Sequence, residues 1–131
     1  MFHAKEYVKA ESLEQAYELN QKRSNVLAGG MMWLKMSSGN RNTVIDLSGL
    51  GLDQIEETED EFRIGCMCSL RQLELHKGLN QYFGGAFREC TRWIVGTQFR
   101  NSATVGGSVF GRFGFSDILT CMMVLDSYVE L

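Results

Sequence analysis

Proline is absent from all 131 residues, so the loops lack their usual rigid punctuation and the fourteen glycines must supply it. Histidine is nearly missing too, with only His3 and His76 present. The four cysteines, Cys66, Cys68, Cys90 and Cys121, include no C-x-x-C pair, which argues against a zinc or iron–sulfur site built by this chain alone. Residues 1–10 contain no signal-peptide apolar core, so disulfides are not expected and the thiols read as reduced. No apolar run approaches the roughly 18 to 20 residues that cross a bilayer, which leaves no membrane role to infer. Lys and Arg are scattered and the formal charge is −3, so nucleic acid is not an expected partner. Together these absences place the chain in the cytoplasm.

What remains is ordinary for a globular domain: 44% hydrophobic and 22% charged residues, at a length that buries one core. Ser12 and Gln15 make a capping box for a first amphipathic helix through Leu13, Ala16 and Leu19, ending near Lys22. Val26, Leu27 and Ala28 then form a short apolar run that stops at Gly29-Gly30 and resumes as Met31, Met32, Trp33 and Leu34, predicting strand, tight turn and helix start. Residues 43–47 predict a second strand, and the first fifty residues a small β–α–β–α–β lobe. Apolar positions alternate from Phe62 to Cys68 across an acidic turn from residues 55–58, predicting a hairpin. Ser69 and Gln72 cap a helix to about His76, a longer helix covers residues 86–95, a glycine-rich region follows, and a helix at 118–125 and a strand at 128–131 close the chain. The expected division is a lobe at 1–54 and a second at 55–131.

Two segments can carry chemistry. A strand that delivers Gly29-Gly30 to a helix start exposes unpaired backbone N–H groups that favour phosphate, although the same segment also reads as an ordinary strand-to-helix turn. Residues 100–108 gather hydroxyls, amides and bare backbone around Gly106-Gly107, which suits a polar ligand or a plain surface loop. One such loop in each lobe favours a ligand held between lobes. Cys66 and Cys68 fall on the face of Phe62 and Ile64 and read as packed, inert thiols. The acidic stretch Glu56, Glu57, Glu59, Asp60 and Glu61 reads as a solvated hairpin tip. Met31, Met32 and Trp33 read by spacing as core.

The ordered set Leu27-Ala28-Gly29-Gly30, Val44-Ile45-Asp46-Leu47-Ser48, Arg63-Ile64-Gly65, Ser69-Leu70-Arg71-Gln72-Leu73, Gln98-Phe99-Arg100-Asn101-Ser102-Ala103-Thr104-Val105-Gly106-Gly107, and Asp117 ahead of Leu125-Asp126 resembles the FAD-binding domain of the xanthine dehydrogenase and carbon monoxide dehydrogenase flavoproteins. The resemblance covers nearly the whole chain. It implies an α+β fold of two lobes, a small β-α-β lobe and an antiparallel-sheet lobe, with FAD in the cleft between them. By the same resemblance Val26, Leu27, Ala28, Gly29, Gly30, Met31, Met32 and Trp33 would wrap the pyrophosphate. Ile94 would lie near the flavin, Thr104, Gly107, Ser108, Phe110 and Gly111 would line the cofactor, and Asp117 would orient a polar group of it. No side chain performs the chemistry.

In such enzymes a molybdopterin subunit oxidises the substrate and iron–sulfur clusters on another subunit carry electrons to FAD, which passes them to NAD or another acceptor. The resemblance therefore implies an oxidoreductase component with iron–sulfur and molybdopterin subunits as partners, not active alone. Family members usually carry Asn where Ser108 stands, and a hydroxyl and an acid where Met31 and Met32 stand. They also continue beyond residue 131, so the second lobe is expected to be incomplete at its C-terminus. Two alternatives follow: a flavin-free assembly module that keeps the fold, or a flavin reductase or oxidase related to the cell-wall enolpyruvyl-sugar reductase, for which no substrate-site acid or base stands out.

Overall fold

The computed structural model describes residues 1–131. It opens with a strand that the sequence pattern does not announce, β1 (Phe2–Lys9). Phe2, Ala4 and Val8 are half-buried while His3, Lys5 and Tyr7 face solvent, so the strand alternates, but its outward positions dilute the apolar signal. After β1 comes α1 (Leu13–Asn20), where the Ser12 hydroxyl accepts the Gln15 N–H at 3.1 Å. The Gln15 side chain reaches back to the Glu11 amide at 2.7 Å, one residue earlier than a regular capping box would place it. Then follow β2 (Val26–Ala28), a single 3₁₀ turn at Leu34–Met36, and β3 (Gly39–Asp46). The three strands form a parallel sheet in the order β1-β3-β2, with Lys9 and Ala28 both in register with Asp46.

The helix expected after Gly30 is reduced to that 3₁₀ turn. Met31 sits at φ 61, in the left-handed region that interrupts helical geometry, and Trp33 at the turn's start supplies no side-chain cap. The central strand is covered on both faces, with Val44 and Ile45 both buried. Ile45 packs with Ala10 and Ala16, and this small core is fringed by Leu19, Leu47 and Leu50.

The rest of the chain is mostly helical. Its sheet is a hairpin of β4 (Ile55–Glu57) and β5 (Phe62–Ile64), antiparallel with Ile55 opposite Ile64. The Thr58 hydroxyl accepts the Glu61 N–H at 3.1 Å and closes the acidic tip. Pairing stops at Ile64, short of the expected end at Cys68. The Gly65 N–H donates to the Gln54 carbonyl at 2.9 Å and the Met67 N–H to the Leu52 carbonyl at 2.8 Å, which folds the strand into a turn. The two cysteines therefore part company: Cys66 is exposed, while Cys68 is fully buried with its thiol on the Gln54 carbonyl at 3.1 Å.

Six helices follow: α2 (Leu70–Leu75), α3 (Lys77–Tyr82), α4 (Ala86–Thr91), α5 (Thr97–Ser102), α6 (Val105–Phe110) and α7 (Asp117–Val124). Ser69 and Gln72 make a complete capping box at α2. The helix expected over 86–95 ends at Thr91, and the loop expected over 100–108 is two helices broken at Ala103 and Thr104. Residues 128–131 adopt no strand. The main core gathers Cys68, Leu70, Leu73, Leu79, Phe87, Ala103, Val105 and Ile118. No helix is long and apolar enough to cross a membrane.

Asn80 holds the start of this helical layer. Its side-chain amide is buried and donates to the carbonyls of Leu73, Glu74 and His76 at 3.1, 3.2 and 2.8 Å, while its oxygen accepts the Arg88 N–H at 2.8 Å. One side chain thus ties α2, α3 and α4 together. Replacing it with alanine strands buried backbone groups, so Asn80→Ala is expected to lower unfolding free energy by roughly 2 kcal/mol. Urea denaturation measures this, and a loss below about 0.5 kcal/mol, the size of an ordinary surface substitution, would contradict the assignment.

Candidate functional site

β2 ends at Ala28 and delivers Gly29 and Gly30 directly onto the junction between α5 and α6. A Cβ on Gly30 would run into the Ser102 carbonyl, and one on Gly29 would run into the Thr104 hydroxyl. Glycine here serves close approach of two backbones rather than turn freedom. Beyond this contact the chain turns without using its own donors. The amide N–H groups of residues 29–33 have no protein acceptor, although residues 29–32 are half-buried. Several successive unpaired amides in a turn containing a left-handed residue form a concave surface suited to an anion.

The donors at the second glycine pair are spent differently. The Val105 N–H donates to the Cys68 carbonyl and the Gly106 N–H to the Cys66 carbonyl, both at 2.8 Å, while the Gly107 N–H donates to the Thr104 hydroxyl at 3.2 Å. Gly106 is needed because a Cβ there would lie 2.7 Å from that of Cys66. Ser108 donates to the Thr104 carbonyl at 2.9 Å, and Ser116 donates to the Ser108 carbonyl at 3.0 Å. Gly111 lies under the Phe113 ring, and Phe110 is exposed with the Arg112 guanidinium 5.8 Å from its centroid. Backbone of the second pair thus joins α6 to the hairpin turn, and its side of the seam meets the first pair through Ser102 and Thr104.

A cavity of about 480 Å³ opens beside the amide row, between Gly29 and Met31 on one side and Lys5, Tyr7 and Asp46 on the other. Tyr7 donates its hydroxyl to Asp46, which also accepts the Ser48 N–H and hydroxyl at 2.8 Å each. Burial works against ionisation of Asp46, but the Tyr7 and Ser48 hydrogen bonds outweigh it and hold the carboxyl below its usual range. The same bond to Asp46 raises the Tyr7 phenol.

The remaining expected site residues are dispersed. Val26 and Leu27 lie in the strand that feeds the loop, with Leu27 exposed at the sheet edge. Trp33 packs against Phe99 of α5. Ile94 packs against the main core. Asp117 begins α7 and lines a separate groove of about 340 Å³ with Cys90 and Cys121. There burial, with Cys121 and Asp117 adding negative charge, pushes the Cys90 thiol up to about 12.

Sequence reading placed Arg100 in the second glycine-pair segment without a role of its own and passed over Glu74. Their side chains are 7% and 10% exposed and pair at 2.8 Å, Glu74 also pairs with Arg71 at 2.7 Å, and Arg100 Nη1 donates to the Ile94 carbonyl at 3.2 Å. The next residue, Val95, is held at φ 50, a strained conformation for a β-branched side chain. Two charges separated by 26 positions leave no local pattern to read, so only the fold reveals them.

Residues 2–131 match the family described as the FAD binding domain in molybdopterin dehydrogenase. The chain belongs to this family. FAD is the cofactor of this domain family. Among curated relatives, this molybdopterin-dehydrogenase FAD domain is 26% identical over 131 residues to the 6-hydroxypseudooxynicotine dehydrogenase complex subunit alpha of Paenarthrobacter nicotinovorans, covering 95% of this chain and 44% of that protein. It is 25% identical over 126 residues to the protein YgfM of Escherichia coli K12, covering 93% of this chain and 47% of that one. The domain therefore spans less than half the length of these relatives. In fold it is similar to a chain of the Cu,Mo-CO dehydrogenase in its cyanide-inactivated form, with a TM-score of 0.81 and 20% identity over 92% of this chain and 44% of that one. It is similar also to carbon monoxide dehydrogenase of Hydrogenophaga pseudoflava lacking the Mo-pyranopterin moiety, with a TM-score of 0.69 and 24% identity over 79% and 38% of the two chains.

Two outcomes follow from this geometry. Gly30→Ala forces a methyl group into the Ser102 carbonyl, which cannot swing aside as a side chain would, and is expected to cost about 2 kcal/mol by thermal or urea unfolding. Wild-type stability in that variant would show that the two backbones do not touch. For Glu74, burial opposes ionisation but the Arg71 and Arg100 bonds win and lower its folded pKa. Its stabilisation is therefore fully present above the ordinary carboxylate range and is lost as pH falls through the depressed folded value. Unfolding curves from pH 7 down to 3 should show Glu74→Gln less stable than wild type at neutral pH, with the gap narrowing in acid. A gap independent of pH would refute the ionised pair.

Proposed function

We propose that this domain holds FAD across its two glycine-pair segments and serves as the electron outlet of a molybdenum hydroxylase complex. The observation that carries the reading is the row of unpaired amides at residues 29–33, of which residues 29–32 are half-buried, beside a cavity large enough for part of a dinucleotide. Gly29, Gly30, Met31, Met32 and Trp33 would donate to the pyrophosphate, with Val26, Leu27 and Ala28 fixing the loop in the sheet. Lys5 is on the cavity wall with Glu6 and Asp46 and is the one cation there that could meet a diphosphate. Thr104, Gly107, Ser108, Phe110 and Gly111 would line the opposite side of the seam, with Ile94 toward the flavin. Asp117 would orient a polar group of the cofactor from its groove.

When bound, FAD supplies two-electron chemistry and exchange with one-electron carriers. The residues of the chain would place it, with the backbone donors fixing the diphosphate. Electrons would arrive from an iron–sulfur subunit fed by a molybdopterin subunit and leave to NAD or another acceptor. The substrate would be chosen on the molybdopterin subunit.

A second reading is favoured by one feature, the Met31-Met32 pair. It offers no side-chain donor or acceptor to a diphosphate, and suits a flavin-free assembly module that keeps the fold. Flavin stoichiometry separates the two. The purified chain mixed with excess FAD and passed through gel filtration is expected to retain about one flavin per chain, seen by its visible absorbance. Protein that emerges colourless would reject FAD binding and leave the assembly module.

A further inference from the structure

Trp33, taken from sequence as core, is 48% exposed, and it is the last donor of the amide row. Around it stand three phenylalanines from the other side of the seam. The Trp33 centroid lies 6.3 Å from Phe99 of α5 at 74°, 5.9 Å from Phe113 at 48° and 5.5 Å from Phe115 at 56°. Phe113 and Phe115 are themselves stacked, 5.1 Å apart and 11° from parallel. Gly111 beneath the Phe113 ring permits this arrangement, and Arg112, at φ 49, turns the chain into it. Four rings converge on one place, yet Phe113 is 39% and Phe115 64% exposed. A cluster that existed only for packing would be covered; this one keeps ring area in water.

We propose that Trp33, Phe113 and Phe115 form a ring-stacking subsite that holds a planar heteroaromatic ring of the dinucleotide beside the amide row of residues 29–33. The inference rests on the FAD reading above and adds a contact that the glycine pairs do not supply. The occupant follows from continuity. The Trp33 N–H belongs to the row that would hold the diphosphate, so a ring tethered to that diphosphate lies within reach of the Trp33 side chain. The parallel Phe113–Phe115 pair is a stack that a third ring extends on its open side, and each base stacked on an aromatic side chain contributes on the order of 1–3 kcal/mol. FAD carries two such rings, adenine and isoalloxazine, and ligand fragments tell them apart.

The test titrates FAD, FMN and ADP-ribose into the wild-type chain and the variants Trp33→Leu and Phe115→Ser, with circular dichroism confirming that each is folded. Phe115 is the more exposed of the two, so its variant keeps the test open should Trp33→Leu fail to fold. A stacked ring predicts a roughly tenfold weaker FAD affinity in the variants. A matching loss for ADP-ribose with FMN unchanged assigns adenine; a matching loss for FMN with ADP-ribose unchanged assigns the isoalloxazine. FAD affinity within twofold of wild type in the folded variants overturns the subsite while leaving FAD binding intact. Failure of the wild-type chain to bind FAD overturns both.

Discussion

Two stretches of chain meet in this domain with backbone against backbone at Gly30 and Ser102, and much of the arrangement depends on that contact. Gly29 and Gly30 lie against the Ser102 carbonyl and the Thr104 hydroxyl, at a separation that excludes even a methyl group. The contact fixes the end of the parallel sheet against the break between α5 and α6. That break is itself anchored: the Leu70 N–H donates to the Ala103 carbonyl at 2.9 Å, and the Val105 N–H returns to the Cys68 carbonyl at 2.8 Å. From the sheet through the glycine pair to the hairpin turn, the linkage is nearly all main chain. Backbone positions are set by covalent geometry and hydrogen bonding, so such a seam is stiffer than one made of interdigitating side chains.

A second constraint acts one turn away. Arg100 and Glu74 leave water together, and burial alone would penalise both. Arg71 on Glu74, and the Ile94 carbonyl and Thr97 hydroxyl on Arg100, add further hydrogen bonds that turn an expensive pair into a fixed strut. The strut bears on the turn where Val95 is strained, and Trp93 and Val95 project from it almost fully exposed. Strain of this kind persists only where neighbouring structure over-determines it, and here the buried guanidinium on the preceding carbonyl provides that determination.

The local signals in the sequence identified much of the fold. Ser12 and Ser69 cap helices where expected, the acidic hairpin forms, and the glycine pairs lie at the seam, because caps, period-two alternation and glycine report on interactions a few residues long. The misses have a common origin in long-range contacts. Residues 100–108 look like a loop by composition, but Gly106 packs on Cys66 and the helix forms around it. The helix expected after Gly30 fails because Met31 is left-handed. β1 escapes notice because an edge strand needs few apolar residues. Of the site, the ordered motifs disclosed the family and the cofactor, while the Glu74–Arg100 pair and the groove that Asp117 shares with Cys90 and Cys121 required the folded chain.

The amide row has a thermodynamic corollary. In the unfolded chain those donors are fully hydrated; in the folded domain they have no protein acceptor and residues 29–32 are half-buried, so folding costs part of their hydration without a protein partner in return. That deficit belongs to the ligand-free state alone. An anion seated on the row would cancel it, so part of the attraction for the ligand is already stored in the empty fold, and the domain's own stability becomes a function of ligand concentration.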